Sequence, residues 1–103
     1  MKGEFKKSLT LVIPAHNAEK VIENSIIEYC NIFSYFDKFE IIVVCNACSD
    51  KTLDVVQKLK KNYPIEIINI PHRGKGNALR RGFDKAKYEL IGFLDSDNPF
   101  NLE

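Results

Sequence analysis

Four short apolar runs recur along the chain: Leu9 to Ile13 (LTLVI), Glu40 to Val44 (EIIVV), Ile65 to Ile70 (IEIINI) and Leu90 to Leu94 (LIGFL). Each is rich in β-branched residues and gives way to a proline, polar or charged residue, the pattern of a strand. Between them lie three stretches with helical spacing, carried by Ile22, Ile26, Tyr29 and Phe33, by Val55, Val56, Leu59 and Tyr63, and by Leu79, Phe83 and Ala86. The strands are continuously apolar rather than alternating, so both faces of their sheet are expected to be covered. Strands that alternate with helices imply right-handed crossovers and an α/β fold, an open, mainly parallel sheet with alternating helices. Asn17 ahead of the first helix, and Ser49 and Asp50 ahead of the second, are expected to cap orphan backbone N–H groups; Pro64 closes the second helix.

With 103 residues, the chain is expected to form a single domain that buries roughly 65% of its unfolded surface without a disulfide or a structural metal. Fifteen basic residues stand against 14 acidic ones, a net charge of +1, so bulk electrostatics call for no nucleic-acid partner. The longest uninterrupted apolar run, Ile41 to Cys45, is far short of the ~20 residues that cross a bilayer. The Met-Lys-Gly-Glu start has no apolar signal core. Cys30, Cys45 and Cys48 make an odd count, which suits a reducing, cytoplasmic setting.

In open α/β sheets ligands bind outside the carboxyl ends of the strands. The segments that follow the four predicted strands are Pro14-Ala15-His16-Asn17, Cys45-Asn46-Ala47-Cys48-Ser49-Asp50, Pro71-His72-Arg73-Gly74-Lys75-Gly76 and Asp95-Ser96-Asp97. Two carboxylates one residue apart, Asp95 and Asp97, can hold a hard cation such as Mg²⁺ or Mn²⁺ together with phosphate oxygens. An isolated D-x-D is equally a surface turn; its place at the end of a core strand is what favours binding. The segment HRGKGNALRRGFDKAK carries six basic residues against one acid, and its glycines let backbone approach an anion at a helix start. It matches neither the phosphate-loop pattern nor the dinucleotide fingerprint, since Leu79 stands where the third glycine belongs. Cys45-Asn46-Ala47-Cys48 is a C-x-x-C between a strand and a helix, either a redox pair or two small residues filling a turn. Zinc would need further ligands, and His16 and His72 lack the spacing. His16 and Asn17 serve equally as the lead-in to a helix or as ligand contacts.

The ordered segments LVIPAHNAEK, EIIVVCNACSDKT, HRGKGNALRRGF and IGFLDSDNPF resemble the family 2 glycosyltransferases of the GT-A fold, with the closest look to polyprenyl-phosphate mannosyl- and glucosyltransferases. The resemblance implies that residues 1–103 are one nucleotide-sugar-binding domain, cut short after the D-x-D. It implies an inverting, metal-dependent transfer of a sugar from a UDP- or GDP-linked donor to an acceptor, such as a polyprenyl phosphate or a glycan. Pro14, Ala15, His16 and Asn17 would border base and ribose, with His16 where the family usually has tyrosine. The family's acidic pair falls on Cys45 and Asn46, of which Asn46 retains a hydrogen-bonding edge. Asp50 and Thr52 match a structural turn. Lys75 and Arg80 would lie toward the diphosphate, Asp95 on nucleotide and sugar, and Asp97 on Mn²⁺ or Mg²⁺. The family's general base lies beyond the D-x-D, so the resemblance assigns that role to no residue here. Two other functions fit parts of the pattern: a nucleotide-sugar-binding module without turnover, and a C-x-x-C thiol oxidoreductase. A sheet cut at Leu94 is expected to self-associate through its unpaired edge, and polyprenyl acceptors imply a place at the cytoplasmic membrane face.

Overall fold

The computed structural model describes residues 7–97. Seven elements alternate: β1 (Ser8–Ala15), α1 (Ile22–Ile32), β2 (Lys38–Asn46), α2 (Thr52–Leu59), β3 (Ile65–Ile70), α3 (Lys75–Lys85) and β4 (Leu90–Phe93). All four strands are parallel, in the order β3-β2-β1-β4. The α/β expectation holds, with every predicted strand and helix in place. Among the described residues no helix is long and apolar enough to cross a membrane.

Right-handed crossovers dictate the layers. The chain steps β1 to β2 to β3 in one direction, then returns past both to place β4 on the other side of β1. The return crossover, α3, must therefore cover the opposite face from α1 and α2. Alternation along each strand sorts the core accordingly. Leu11, Ile13, Ile41, Val43 and Ile65 pack with Ile22, Ile26, Tyr29 and Val56 on the α1/α2 face. Val12, Ile42, Val44 and Ile70 pack with Ala78 of α3 on the other.

Two local features shape the ends of β1. At its start, buried Glu40 of β2 accepts the Thr10 hydroxyl at 2.6 Å and the Lys87 N–H at 3.3 Å. The Thr10 oxygen in turn takes the Tyr88 N–H at 3.3 Å, which ties the α3–β4 connection to the central strand. Near its end stands Pro14. The Leu94 N–H donates to the Val12 carbonyl at 3.2 Å, so the even-numbered residues of β1 are those that bond toward β4. Pro14 is the next of these and has no N–H to give. The β1–β4 ladder accordingly stops at Val12↔Phe93, short of the end of β1. On its outer side β4 is a sheet edge with Leu90, Ile91 and Phe93 exposed, and Phe93 meets Phe83 of α3 edge-on at 6.2 Å.

Gly82 allows α3 to lie against β1, since a Cβ there would overlap Val12 Cγ1. Gly82→Ala is expected to lower unfolding free energy by about 1–3 kcal/mol through overpacking. Gly76→Ala, with open space around its Cβ, is expected to raise it by up to about 1 kcal/mol. Urea titrations of the two variants check the contrast.

Candidate functional site

Where the strand order reverses, beside the carboxyl ends of β1 and β4, lies a cleft of about 420 Å³ lined by Pro14, His16, Asn17, Ala18, Val21, Asn46, Lys75, Asp95, Ser96 and Asp97. It gathers seven of the nine residues the sequence singled out. Ala15 is 1% exposed, in the α1/α2-side core. Arg80 is exposed on α3 and does not line the cleft. Ala18, Val21 and Ser96 line it without having been given a role; Ala18 follows Asn17, Ser96 lies between Asp95 and Asp97, Val21 lies just ahead of α1, and none carries a charge that would mark it.

The two loops that wall the cleft are held by an exchange of hydrogen bonds. Asn17 adopts a left-handed backbone conformation at φ 49°, and its Oδ1 accepts the N–H groups of Ser49 at 2.7 Å and Asp50 at 3.2 Å. In return Thr52 Oγ1 accepts the Ala18 N–H at 2.7 Å and Asp50 Oδ2 the Glu19 N–H at 3.2 Å, while Glu19 Oε1 accepts the Lys51 N–H at 2.8 Å. This corrects the capping expected of Asn17 and Ser49, while that expected of Asp50 holds. Val21 and Lys51 occupy the cap positions of α1 and α2, and neither makes a side-chain cap bond. Asn17 stands five residues before Ile22, too early to reach the first helical turn, so it serves the neighbouring loop instead. Asp50 does take the Thr52 N–H at 2.9 Å and the Thr52 hydroxyl at 2.5 Å. Burial works to raise its carboxyl, but the bonds from Thr52 and from the Glu19 N–H outweigh it and hold the group below the ordinary value of 3.8.

At one end of the cleft, His16 Nδ1 lies 2.8 Å from the Asn46 carbonyl. A carbonyl only accepts, so Nδ1 carries the proton and donates. Asn46 is 6% exposed and its Oδ1 has no hydrogen-bond partner among the described residues. A buried acceptor left without a donor costs about 1–3 kcal/mol, and a ligand N–H in the cleft would relieve it. Cys45, next to it, points into the core at 0% exposure. Burial, then the adjoining Cys48 thiol and the Asp50 carboxylate, push it up to about 12. Cys48 donates to the Ala15 carbonyl at 3.3 Å and accepts the Asn17 N–H at 3.4 Å. Both thiols are free. A thiol oxidoreductase needs an accessible thiolate, and Cys45 is buried and protonated; the pair instead fills and braces the turn.

At the other end, α3 begins at Lys75 after Gly74, whose φ of 135° suits only glycine. Lys75 Nζ reaches Asp95 Oδ1 at 3.2 Å with both side chains more than half exposed, a pair that orients more than it stabilises. From below, the Tyr29 hydroxyl donates to the Asp95 carbonyl at 2.6 Å. Burial, with Asp95 and Asp97 adding, lifts the Tyr29 phenol far above the usual tyrosine range, so it stays a donor. Among the described residues no cluster of three or more His, Cys, Asp or Glu could hold a metal by itself. Two carboxylates beside an open cleft fit Mg²⁺ or Mn²⁺, cations that keep coordination positions for waters and phosphate oxygens.

The chain is similar to known glycosyltransferases over most of its length. The family model described as glycosyl transferase family 2 matches residues 10–102. The chain is 36% identical over 95 residues to the probable glycosyltransferase YdaM of Bacillus subtilis (strain 168), a match that covers 87% of this chain and 23% of YdaM. Among solved structures, the mannosyltransferase PcManGT from Pyrobaculum calidifontis in complex with GDP-Man and Mn²⁺ superposes with a TM-score of 0.81 at 25% identity, over 93% of this chain and 29% of that one. Residues 1–349 of TarS from S. aureus in complex with UDP match with a TM-score of 0.75 at 26% identity, over 94% and 28%. The chain thus spans about a quarter of the length of the relatives it matches.

The Asp50 carboxyl gives the loop exchange a pH dependence. Its folded value lies below its unfolded one, so its stabilisation is complete above about pH 4 and is lost as pH falls through the folded value. The stability gap between wild type and Asp50→Asn is expected to be widest near neutrality and to close below about pH 4, as measured by urea midpoints across that range.

Proposed function

The chain belongs to glycosyl transferase family 2, and from that premise we propose that its cleft is the donor site of an enzyme that transfers a sugar from a nucleoside diphosphate to an acceptor. The observation that carries this reading is the polarity of the cleft from end to end. A buried acceptor without a partner, Asn46 Oδ1, lies at one end, and Lys75 with the Asp95/Asp97 pair at the other.

Each residue then has a task. The ring of His16, oriented by its bond to the Asn46 carbonyl, offers a face on which a base stacks. The Asn46 amide offers Oδ1 to a base N–H and Nδ2 to a carbonyl, a pair of contacts that uracil and guanine both satisfy. Pro14 and Asn17 border the ribose. Lys75 and the amides at the start of α3 face the diphosphate, where a positive helix end favours an anion, and Arg80 adds charge further along that helix. Asp95, already committed in part to Lys75, is suited to sugar and ribose hydroxyls, which leaves Asp97 as the principal metal ligand. Bound there, Mg²⁺ or Mn²⁺ would neutralise charge on the departing nucleoside diphosphate. Transfer is of the inverting type, with a polyprenyl phosphate or a glycan as acceptor at the cytoplasmic membrane face and the general base supplied from outside the described residues.

A second reading, nucleotide-sugar binding without turnover, uses the same cleft. Calorimetric titration of UDP-glucose and GDP-mannose, with and without Mn²⁺, tests the site itself. Metal-dependent binding of one donor is expected, weakened at least about 10-fold in Asp97→Ala and about 3–10-fold in Asn46→Ala. If neither donor binds with Mn²⁺, the donor-site reading fails. Sugar transfer or donor hydrolysis by this chain would eliminate the binding-only reading. The exposed edge of β4 is also proposed to mediate self-association. Sedimentation of the chain is then expected to be concentration-dependent, and Ile91→Lys to suppress the larger species; a stable monomer at all concentrations rules this out.

A further inference from the structure

Tyr29 is wholly buried, yet it spends its one polar group on the cleft. It lies two turns into α1, on the stripe with Ile22 and Ile26 that faces the sheet. Side chains on a helix lean toward its N-terminus, and the N-terminus of α1 is at the carboxyl edge of the sheet. The phenol is thereby aimed up through the core, past the end of β4. There it donates to the Asp95 carbonyl across 66 residues of sequence at 2.6 Å. The ladder from β1 to β4 has by then stopped, because Pro14 has no N–H to extend it. Beyond Leu94 the strand pairing no longer holds the acidic segment, and the hydroxyl of Tyr29 does so instead.

We infer that Tyr29 is a positioning residue for the acidic pair: its hydroxyl fixes the backbone at Asp95, one residue past the Leu94 carbonyl that Pro14 leaves without a ladder donor, and through it the directions of the Asp95 and Asp97 carboxylates. The inference rests on the donor-site reading for its functional consequence, but not for its geometry. Asp95 is held at two points, its carbonyl from the core by Tyr29 and its carboxylate from α3 by Lys75. Lys75 is an exposed, flexible cation; Tyr29 is rigid and cannot turn away without opening the core.

Removing the hydroxyl alone, in Tyr29→Phe, tests this. The carbonyl carbon resonance of Asp95 is expected to shift, and the Ser96 and Asp97 amides to exchange at least about 10-fold faster. Mn²⁺-dependent nucleotide affinity, probed with UDP and GDP, should fall about 5-fold while metal-free affinity is unchanged. Ile26→Val, in the same helix and equally buried, should cost comparable stability and leave all of these readouts at wild-type values, as a merely structural role for Tyr29 would not. In the wild type itself the Tyr29 hydroxyl proton should exchange slowly and show a nuclear Overhauser contact to the Ser96 amide. Absence of that contact, or wild-type Asp95–Asp97 resonances and exchange in Tyr29→Phe, overturns the inference. Should the wild type bind neither nucleotide with Mn²⁺, the donor-site reading falls, while the resonance and exchange measurements still decide the role of Tyr29.

Discussion

The structure depends first on β1. Like β2 it is paired on both sides, to β2 along its whole length and to β4 along half of it, but it alone borders the reversal of strand order, and both of its faces are packed, by Ile13 toward α1 and α2 and by Val12 toward α3. Two demands follow from that position. Its buried residues must be apolar or, like Thr10, hydrogen-bonded within the core, since neither face meets water along most of its length. A helix must also come close enough to cover it, which is why a glycine rather than any side chain stands over Val12 in α3. The strand-order reversal next to β1 then creates the crevice. Because β4 and β2 send their following loops to opposite sides of β1, the space above β1 is walled but not filled.

That space keeps its form because the loops on one side of it brace each other rather than their own helices. Asn17, Glu19, Asp50 and Thr52 exchange side-chain acceptors for backbone donors between the β1–α1 and β2–α2 connections. Such an arrangement leaves α1 without a side-chain cap, worth typically about 1 kcal/mol, while Asp50 still takes the Thr52 N–H at the start of α2. In return one wall of the cleft becomes a single hydrogen-bonded unit, and His16 and Asn46, which project from its two halves, are fixed relative to each other. The C-x-x-C belongs to this bracing: Cys48 bonds to both Ala15 and Asn17.

Much of this was legible before any coordinates. Apolar runs without alternation and helical spacing between them suffice to give a parallel sheet covered on both faces, and strand ends then point to His16, Asn46, Lys75, Asp95 and Asp97. What sequence could not convey is partnership between residues far apart in the chain. Asn17 reads locally as a cap, and nothing in its neighbours says that the N–H groups its Oδ1 accepts lie some thirty residues on at Ser49 and Asp50. Tyr29 reads as core because its spacing with Ile22 and Ile26 makes it core; that its hydroxyl continues to Asp95 depends on helix direction and sheet order together. Cys45 and Cys48 read as a redox motif by spacing, and only burial and the carbonyl of Ala15 separate them from one. Arg80 was drawn toward the site by its place in a basic segment, but helical rotation carries it off the lining.

Electrostatics link the unusual end of the cleft to the ordinary one. The fully charged side chains that line it are Lys75, Asp95 and Asp97, one positive and two negative, and Lys75 is already paired with Asp95. Left so, the cleft presents a net negative charge to a diphosphate, and at close range in a partly desolvated site that repulsion is not offset by the amides of α3 alone. A divalent cation reverses the sign. At the opposite end Asn46 bears no charge, and under the donor-site proposal recognition there would rest on a neutral amide whose oxygen has no partner among the described residues. The two ends therefore discriminate by different physics. Under the same proposal the acidic end would respond to metal and salt, as charge–charge interactions do. The Asn46 end would respond to the hydrogen-bonding edge of what enters, since a base lacking an N–H at that point would leave Oδ1 buried and unpaired.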